Sequence, residues 1–329
     1  MASSSLPRIT VLGSLNIDLV SYVPHHPEPG ETLTSSSFAV SPGGKGANQA
    51  VACAKLSRSH SSAGTGSDEG ASAHVSMVGA VGTDSYGEIL LTNMSSHGVD
   101  VSAVEARAGL KTGIAIIIVD QPTGQNRIVL SPEANHALTP ADFRPSLAKL
   151  GPRPDLLVMQ LEIPFETVMQ ALRAAKSDGV PVLLNPAPAQ PLPAEAFSGL
   201  AHLVVNETEA AILSGKDVSE LDTLEGMERV AAVFIERGVE TVIITLGGRG
   251  VYYMNKGGDK GLLQAEKATV VDTTAAGDTF VGQYALEVVA SAGKKFDIVA
   301  AVQKANHAAA KTVERKGAQD SIPWRDELQ

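Results

Sequence analysis

The chain of 329 residues has a single cysteine, Cys53. No disulfide can close within it, and no zinc site can be built on its cysteines. Aromatic residues make up only 4%, while alanine, valine, leucine and glycine abound, a balance that favours helices packed tightly on a parallel sheet. The opening stretch MASSSLPRITVLG holds no apolar run long enough for a signal peptide or a membrane span. A cytoplasmic location is therefore expected, with the nucleus also open and no membrane partner. The net charge is −10 and no basic stripe is visible, which argues against a nucleic-acid partner. If the ligand is itself an anion, its attraction must be local. The Debye length is about 8 Å at physiological salt, so backbone dipoles or a bound cation outweigh distant carboxylates. Two phosphate signatures are also missing. GSLNID stands after the first apolar run in place of G-x-G-x-x-G, which weighs against a dehydrogenase, and SPGGKGANQAV lacks the spacing of a P-loop.

What remains is ordinary for a soluble enzyme: 43% hydrophobic and 19% charged, in a length that suits one large α/β domain or two smaller ones. Short apolar runs read as buried strands at Ile9–Leu12, Val75–Val78, Ile114–Val119, Leu156–Met159, Val180–Leu184, Leu203–Val205, Val242–Thr245 and Val251–Met254. Helical patterns follow several of them, at Glu166–Ser177, Met227–Arg237 and Ala300–Val313. This alternation predicts an α/β fold with a central, mostly parallel sheet covered by helices on both faces. Ligands in such folds sit at the carboxyl ends of strands. The polar residues that close these runs are thus the candidates: Asn16, Asp18, Glu162, Asn185, Asn206, Thr245 and Asp278.

Residues 20–42 carry Pro and Gly punctuation before an extended Ser/Thr-rich run. Residues 107–131 alternate through TGIAIIIVD and turn at Gln121–Gly124 into NRIVL, the pattern of a hairpin. Together they predict a small separate sheet. Residues 57–73, SRSHSSAGTGSDEGASA, read as a mobile low-complexity insertion.

Several short motifs admit two readings. Asn16 and Asp18 are two apart, so in extended chain they face the same way; they suit a pair of sugar hydroxyls, or an Asx turn. The glycine loop Gly43-Gly44-Lys45-Gly46 brings backbone, Lys45 and Asn48 near a small ligand, or is a plain turn. Asn206 and Glu209 could hold Mg²⁺ through its waters, or form a capping box. Thr245, Gly247, Gly248 and Gly250 permit backbone close to a phosphate chain, or a strand-to-strand turn. In VVDTTAAGDTFVGQYALEVV, small residues precede Asp278 and a helical pattern follows. The exposed N–H groups and dipole of a helix start form an anion site that such small side chains leave open. The plainer reading makes Asp278 the helix cap.

The order of GGKGANQ, NETE, ITLGGRG, DTTAAGDTF and RKGAQDSIPW along the chain resembles the ribokinase (phosphofructokinase-B type) family of sugar kinases over residues 8 to 325. AAGDTF carries the class; GSLNID, GGKGANQAV, MQLEIP, NPAPA and RKGAQDSIPW carry ribose as the acceptor. The resemblance implies ATP-dependent phosphorylation of D-ribose at O5 by a single kinase domain with a β-sheet lid at about 20–42 and 107–131. That lid also forms a homodimer contact. It further implies Asp278 as general base and the backbone of Ala275, Ala276 and Gly277 as an anion hole. Ribose ligands would be Asn16, Asp18, Gly44, Lys45, Asn48, Glu162 and Asp278. Asn206 and Glu209 would orient phosphates and Mg²⁺, while Thr245, Gly247, Gly248, Gly250 and Asn306 line the ATP site beside Gly277. A K⁺ activator would lie between Asp272 and Thr274 on one side and Thr312, Arg315, Gly317 and Ser321 on the other, several of them acting through carbonyls. Ala276 is placed where many members carry the first glycine of GAGD, and Lys311 and Glu314 have no assigned role. Another sugar or nucleoside kinase of the family, or a catalytically silent binding regulator, are the competing readings.

Overall fold

The computed structural model describes residues 6–62 and 68–328. Two sheets organise them. The larger has nine strands: β1 (Arg8–Leu12), β4 (His74–Gly82), β5 (Asp100–Arg107), β8 (Leu156–Met159), β9 (Val182–Leu184), β10 (His202–Asn206), β11 (Thr241–Thr245), β12 (Val251–Asn255) and β13 (Lys260–Leu263). Their order is β13-β12-β11-β10-β9-β8-β1-β4-β5. Pairing is parallel from β11 to β5, and antiparallel only at the β11–β12 and β12–β13 edge. The smaller sheet contains β2 (Asn16–Val23), β3 (Ser37–Gly43), β6 (Gly113–Asp120) and β7 (Asn126–Ser131), in the order β3-β2-β6-β7. This lid-type sheet takes β6, β7 and most of β3 from the two expected segments, whereas β2 begins at Asn16, ahead of the first.

Strand alternation divides the core in two. Ile9, Val11, Val158, Val204 and Ile243 point to one face, where α1 (Lys45–Ser57), α7 (Ala276–Ala290) and α8 (Ile298–Val313) pack. Leu12, Leu157, Met159, Val205 and Ile244 point to the other, covered by α3 (Phe165–Ser177), α5 (Glu207–Ser214) and α6 (Leu224–Glu236). Near-continuous apolar strands are what burial on both faces demands. Glycine sets the closest approach. A Cβ at Gly282 of α7 would lie 2.5 Å from the Ala52 Cβ of α1, and one at Gly46 would lie 2.6 Å from Ser14 N. These two positions let α1 press against both α7 and the end of β1.

The strands β5 and β13 and the helix α2 (Ser85–Ser96) were not visible as patterns in the sequence. The flanks of the 57–73 segment also differ from the expected loose insertion. Ser57 ends α1, Arg58 is buried, and the His60 N–H donates to Asp326 at 2.9 Å. Residues 63–67 lie outside the described residues.

Candidate active site

Five neighbouring strands deliver polar residues to one edge of the sheet. Ser14 follows β1, Gln160 and Glu162 follow β8, Asn185 follows β9, Asn206 ends β10 and Thr245 ends β11. The first turns of α1 and α7 meet above this edge, and β2 carries Asn16 and Asp18 away from it into the small sheet.

Asp278 lies where these parts converge, 8% exposed. It is not the cap of α7. The capping position is Ala275, with φ 60°, and Asp278 sits three residues further in. Its carboxylate turns to α1: Oδ2 accepts from Asn48 Nδ2 at 3.1 Å and Oδ1 from Gln49 Nε2 at 3.0 Å. Asn48 is itself held, its Oδ1 accepting from Gln319 Nε2 at 3.0 Å. The glycine-like position of this stretch is also 275 rather than 276. Ala275 takes the left-handed conformation, whereas Ala276 is the first helical residue. A left-handed alanine costs more than a glycine. It is held there by Thr279, whose N–H and Oγ1 both donate to the Ala275 carbonyl, at 2.8 and 2.9 Å. The backbone at the start of α7 is thus bent sharply, and Ala275, Ala276 and Gly277 carry nothing larger than a methyl.

On the small-sheet side, Glu162 Oε2 accepts from Ser14 Oγ at 2.5 Å and from the Lys45 N–H at 2.9 Å. Gly44, φ 88°, permits that turn: a Cβ there would lie 2.7 Å from Asn16 N. Asn16 Oδ1 accepts from Asn135 Nδ2 at 2.8 Å. The Asp18 carboxylate and the Lys45 ammonium make no hydrogen bond or ion pair among the described residues. Burial, reinforced by Glu162 and Asp278, pushes the Asp18 carboxyl up to about 7, although Lys45 opposes the shift. Burial works against the Lys45 charge too, but Asp278, Glu162, Glu209 and Asp18 outweigh it and hold that ammonium above its usual value. A half-buried cation and a half-buried carboxyl, both without fixed partners among the described residues, are groups that await a polar ligand.

A cavity of about 200 Å³ opens on the other side of Asp278, lined by Lys45, Asn206, Glu209, Thr245 and Gly277. The capping-box reading of the NETE motif holds here. Asn206 Oδ1 accepts from the Glu209 N–H and Glu209 Oε2 from the Asn206 N–H, each at 2.9 Å, a complete capping box. Glu209 Oε1 makes no hydrogen bond among the described residues and borders the cavity. Burial raises its carboxyl, against the Asn206 N–H and Lys45. An oxygen so placed fits Mg²⁺ held through water beside phosphates. Gly247, φ 53°, and Gly248 form the turn after β11. A Cβ at Gly250 would lie 1.9 Å from the Leu263 carbonyl, and Asn306 Nδ2 donates to the Gln264 carbonyl at 2.9 Å. Gly250 and Asn306 thus meet the 263–264 backbone, outside the residues that line the cavity.

Of the expected cation residues, Thr274 and Gly317 meet Asp272. Its Oδ1 accepts from Thr274 N–H and Oγ1 at 2.9 and 2.7 Å, and its Oδ2 from the Gly317 N–H at 3.0 Å. Burial opposes ionisation there, yet these donors and Lys316 hold the carboxyl below its usual value. The Asp272 side chain therefore braces two loops, and any cation would depend on their carbonyls. Arg315 turns its guanidinium to Glu327, at 2.9 and 3.2 Å, while Thr312 and Ser321 point their hydroxyls at nearby protein oxygens. Lys311 and Glu314 simply pair with each other at 3.6 Å.

Residues 6–325 match the family model described as pfkB family carbohydrate kinase. The chain belongs to the pfkB family of carbohydrate kinases. Ribokinase of Schizosaccharomyces pombe is 43% identical over 319 residues, covering 96% of this kinase and 95% of that protein. Among solved structures, Thermotoga maritima ribokinase superimposes with a TM-score of 0.80 at 38% identity, covering 98% of both chains. Arabidopsis thaliana ribokinase, complexed with ribose and ATP, gives 0.84 at 29% identity over 98% of each chain. This kinase is accordingly a phosphotransferase of the ribokinase type that uses ATP. Sequence reasoning named most of the residues around Asp278 but gave no role to Ser14, Gln49, Asn135, Gln160 or Gln319. Gln49, Gln160 and Gln319 lay within the quoted motifs. Asn135 had no signal at all.

Proposed function

We propose that this kinase transfers the γ-phosphoryl group of ATP to O5 of D-ribose, giving ribose 5-phosphate and ADP, with Asp278 as the general base. One observation carries the reading. Asp278 lines the cavity shared by Lys45, Asn206, Glu209 and Thr245, and its carboxylate meets Asn48 in the neighbourhood of Asp18 and Glu162. The full-length likeness to ribokinases supports ribose as acceptor, and Asn16, Asp18, Gly44, Lys45, Asn48 and Glu162 supply the amide, carboxylate and ammonium groups that sugar hydroxyls need.

A sugar hydroxyl is a weak nucleophile at neutral pH. As O5 attacks the γ-phosphorus, its proton passes to the Asp278 carboxylate, the O5–P bond forms and the bond to ADP breaks. The N–H groups of Ala275 and Gly277, at the positive end of α7, would face the charge on the transferring group, whereas the Ala276 N–H donates to the Thr273 carbonyl at 3.3 Å. Phosphoryl transfer depends mainly on such placement and neutralisation. Mg²⁺, when bound with ATP, neutralises phosphate charge; Asn206 and Glu209 would hold it through water. K⁺, when bound by carbonyls of the loops that Asp272 braces, would stiffen the approach to the anion hole. Thr245, Gly247, Gly248, Gly250 and Asn306 would border the nucleotide. The chain acts as one kinase domain, with its small sheet closing over the sugar and pairing with a second copy in a homodimer, in the cytoplasm or nucleus.

Asp278→Asn keeps the shape of the site and removes the base. Ribose binding, measured by calorimetry, should stay within a few-fold while turnover falls by about 10²–10⁴-fold. Near-normal turnover in that variant removes Asp278 as base.

A further inference from the structure

Gln49 touches Asp278 but has no part in the reading above beyond proximity. Its carboxamide is held at three points. Nε2 donates to Asp278 Oδ1 at 3.0 Å and to Asn185 Oδ1 at 2.9 Å, while Oε1 accepts from Gln160 Nε2 at 2.7 Å. Each contact fixes which end of the amide faces which way. Asn185 Nδ2 donates to the Val204 carbonyl at 2.9 Å, so its oxygen must face Gln49. Gln49 must then present nitrogen to Asn185, and the same nitrogen meets Asp278. A flipped Gln49 would aim its oxygen at two other oxygens and its nitrogen at a nitrogen.

Gln160 shows what this orientation demands. It is 1% exposed, its Oε1 has no hydrogen-bond partner among the described residues, and a Cβ at Gly13 would lie 2.0 Å from that oxygen. A methionine or leucine would fill the same space without a buried unpaired acceptor. The one hydrogen bond of the Gln160 side chain among the described residues is its donation to Gln49. The carbonyl of a β10 residue, the amides after β8 and β9 and the first turn of α1 thus form one chain of hydrogen bonds that ends on the carboxylate.

We infer that Gln49 is the positioning residue for the base, and that Asn185 and Gln160 orient it so that Asp278 Oδ1 always meets a donor. The carboxylate then keeps one rotamer as α7 and α1 breathe, with its remaining lone pairs free for the sugar hydroxyl. The inference rests on the proposal that Asp278 is the base. Small displacements of a reacting group cost large factors in rate.

The test compares four variants of the full chain, Gln49→Met, Gln160→Met, Asp278→Asn and the Gln49→Met/Asp278→Asn double variant, by kcat, KM for ribose and ATP, and melting temperature. Gln49→Met should lower kcat about ten- to a hundredfold with both KM values within about threefold. Gln160→Met, which touches neither substrate nor base, should lower kcat in the same direction by a smaller factor without lowering the melting temperature. On the Asp278→Asn background, Gln49→Met should change the residual rate by less than about threefold, because the group it positions is gone. An unchanged kcat in Gln49→Met overturns the inference. So does a loss of the same size with and without Asp278, which would make Gln49 a packing residue. If Asp278→Asn itself retains turnover, the base assignment fails separately.

Discussion

The Asp18 carboxyl is the residue at which binding and stability conflict most openly. Its folded value near 7 stands above the ordinary carboxylate value of 3.8, because burial and two neighbouring carboxylates disfavour its charge. The protonated form is therefore favoured by folding. Stability from this group is complete below about pH 4 and is lost as pH rises through about 7. Asp18→Asn should flatten the stability curve across that window and raise the melting temperature of the ligand-free protein at pH 8. On the proposed role of Asp18 as an acceptor from sugar hydroxyls, the same change should weaken ribose binding at least tenfold, since the carboxylate becomes an amide. An unchanged pH profile of melting would contradict the assigned burial. The spacing with Asn16 was enough to make Asp18 a candidate sugar ligand. Its neighbours were not legible, because Glu162 and Asp278 lie far along the chain and approach it only through the sheet order.

At the scale of elements, the small sheet carries the unusual surface. Phe38, Val40, Ile116 and Val129 are 58%, 47%, 42% and 63% exposed. The register places Leu19 opposite both Val40 and Ile116, and Ile116 opposite Val129, so these residues form a row across one face. Such a contiguous apolar patch marks a covered surface. A second copy of the chain would cover it, as the homodimer reading requires. Val129→Asp should convert a sedimenting dimer to monomer and raise KM for ribose more than KM for ATP, because only the sugar side abuts the small sheet. A monomeric parent protein at micromolar concentration would remove the dimer. The hairpin was legible from the alternation through residues 113–120 and the turn at 121–124, whereas α2 and β5 were not. SYGEILLTNMSS mixes Ser, Thr and Asn into an edge helix with only Gly87, Leu90 and Met94 buried, and VSAVEAR packs as an edge strand with mixed polarity.

For the whole molecule, the motifs scattered over the sequence become one site because β1, β8, β9, β10 and β11 lie side by side and end on the same edge. The order of strands could not be read from local pattern, and neither could the amide chain behind Asp278, whose members are separated by 111 and 136 residues. What could be read was the chemistry of each loop. The central claim is that these loops assemble a ribose kinase, and one measurement reaches it directly: ADP release with ATP and Mg²⁺, in potassium and in sodium, offered D-ribose, 2-deoxyribose, fructose or adenosine in turn. The account predicts release that depends on D-ribose, exceeds that with fructose or adenosine, and rises in potassium. Release driven by fructose or adenosine and not by ribose, or by none of the four, would contradict it.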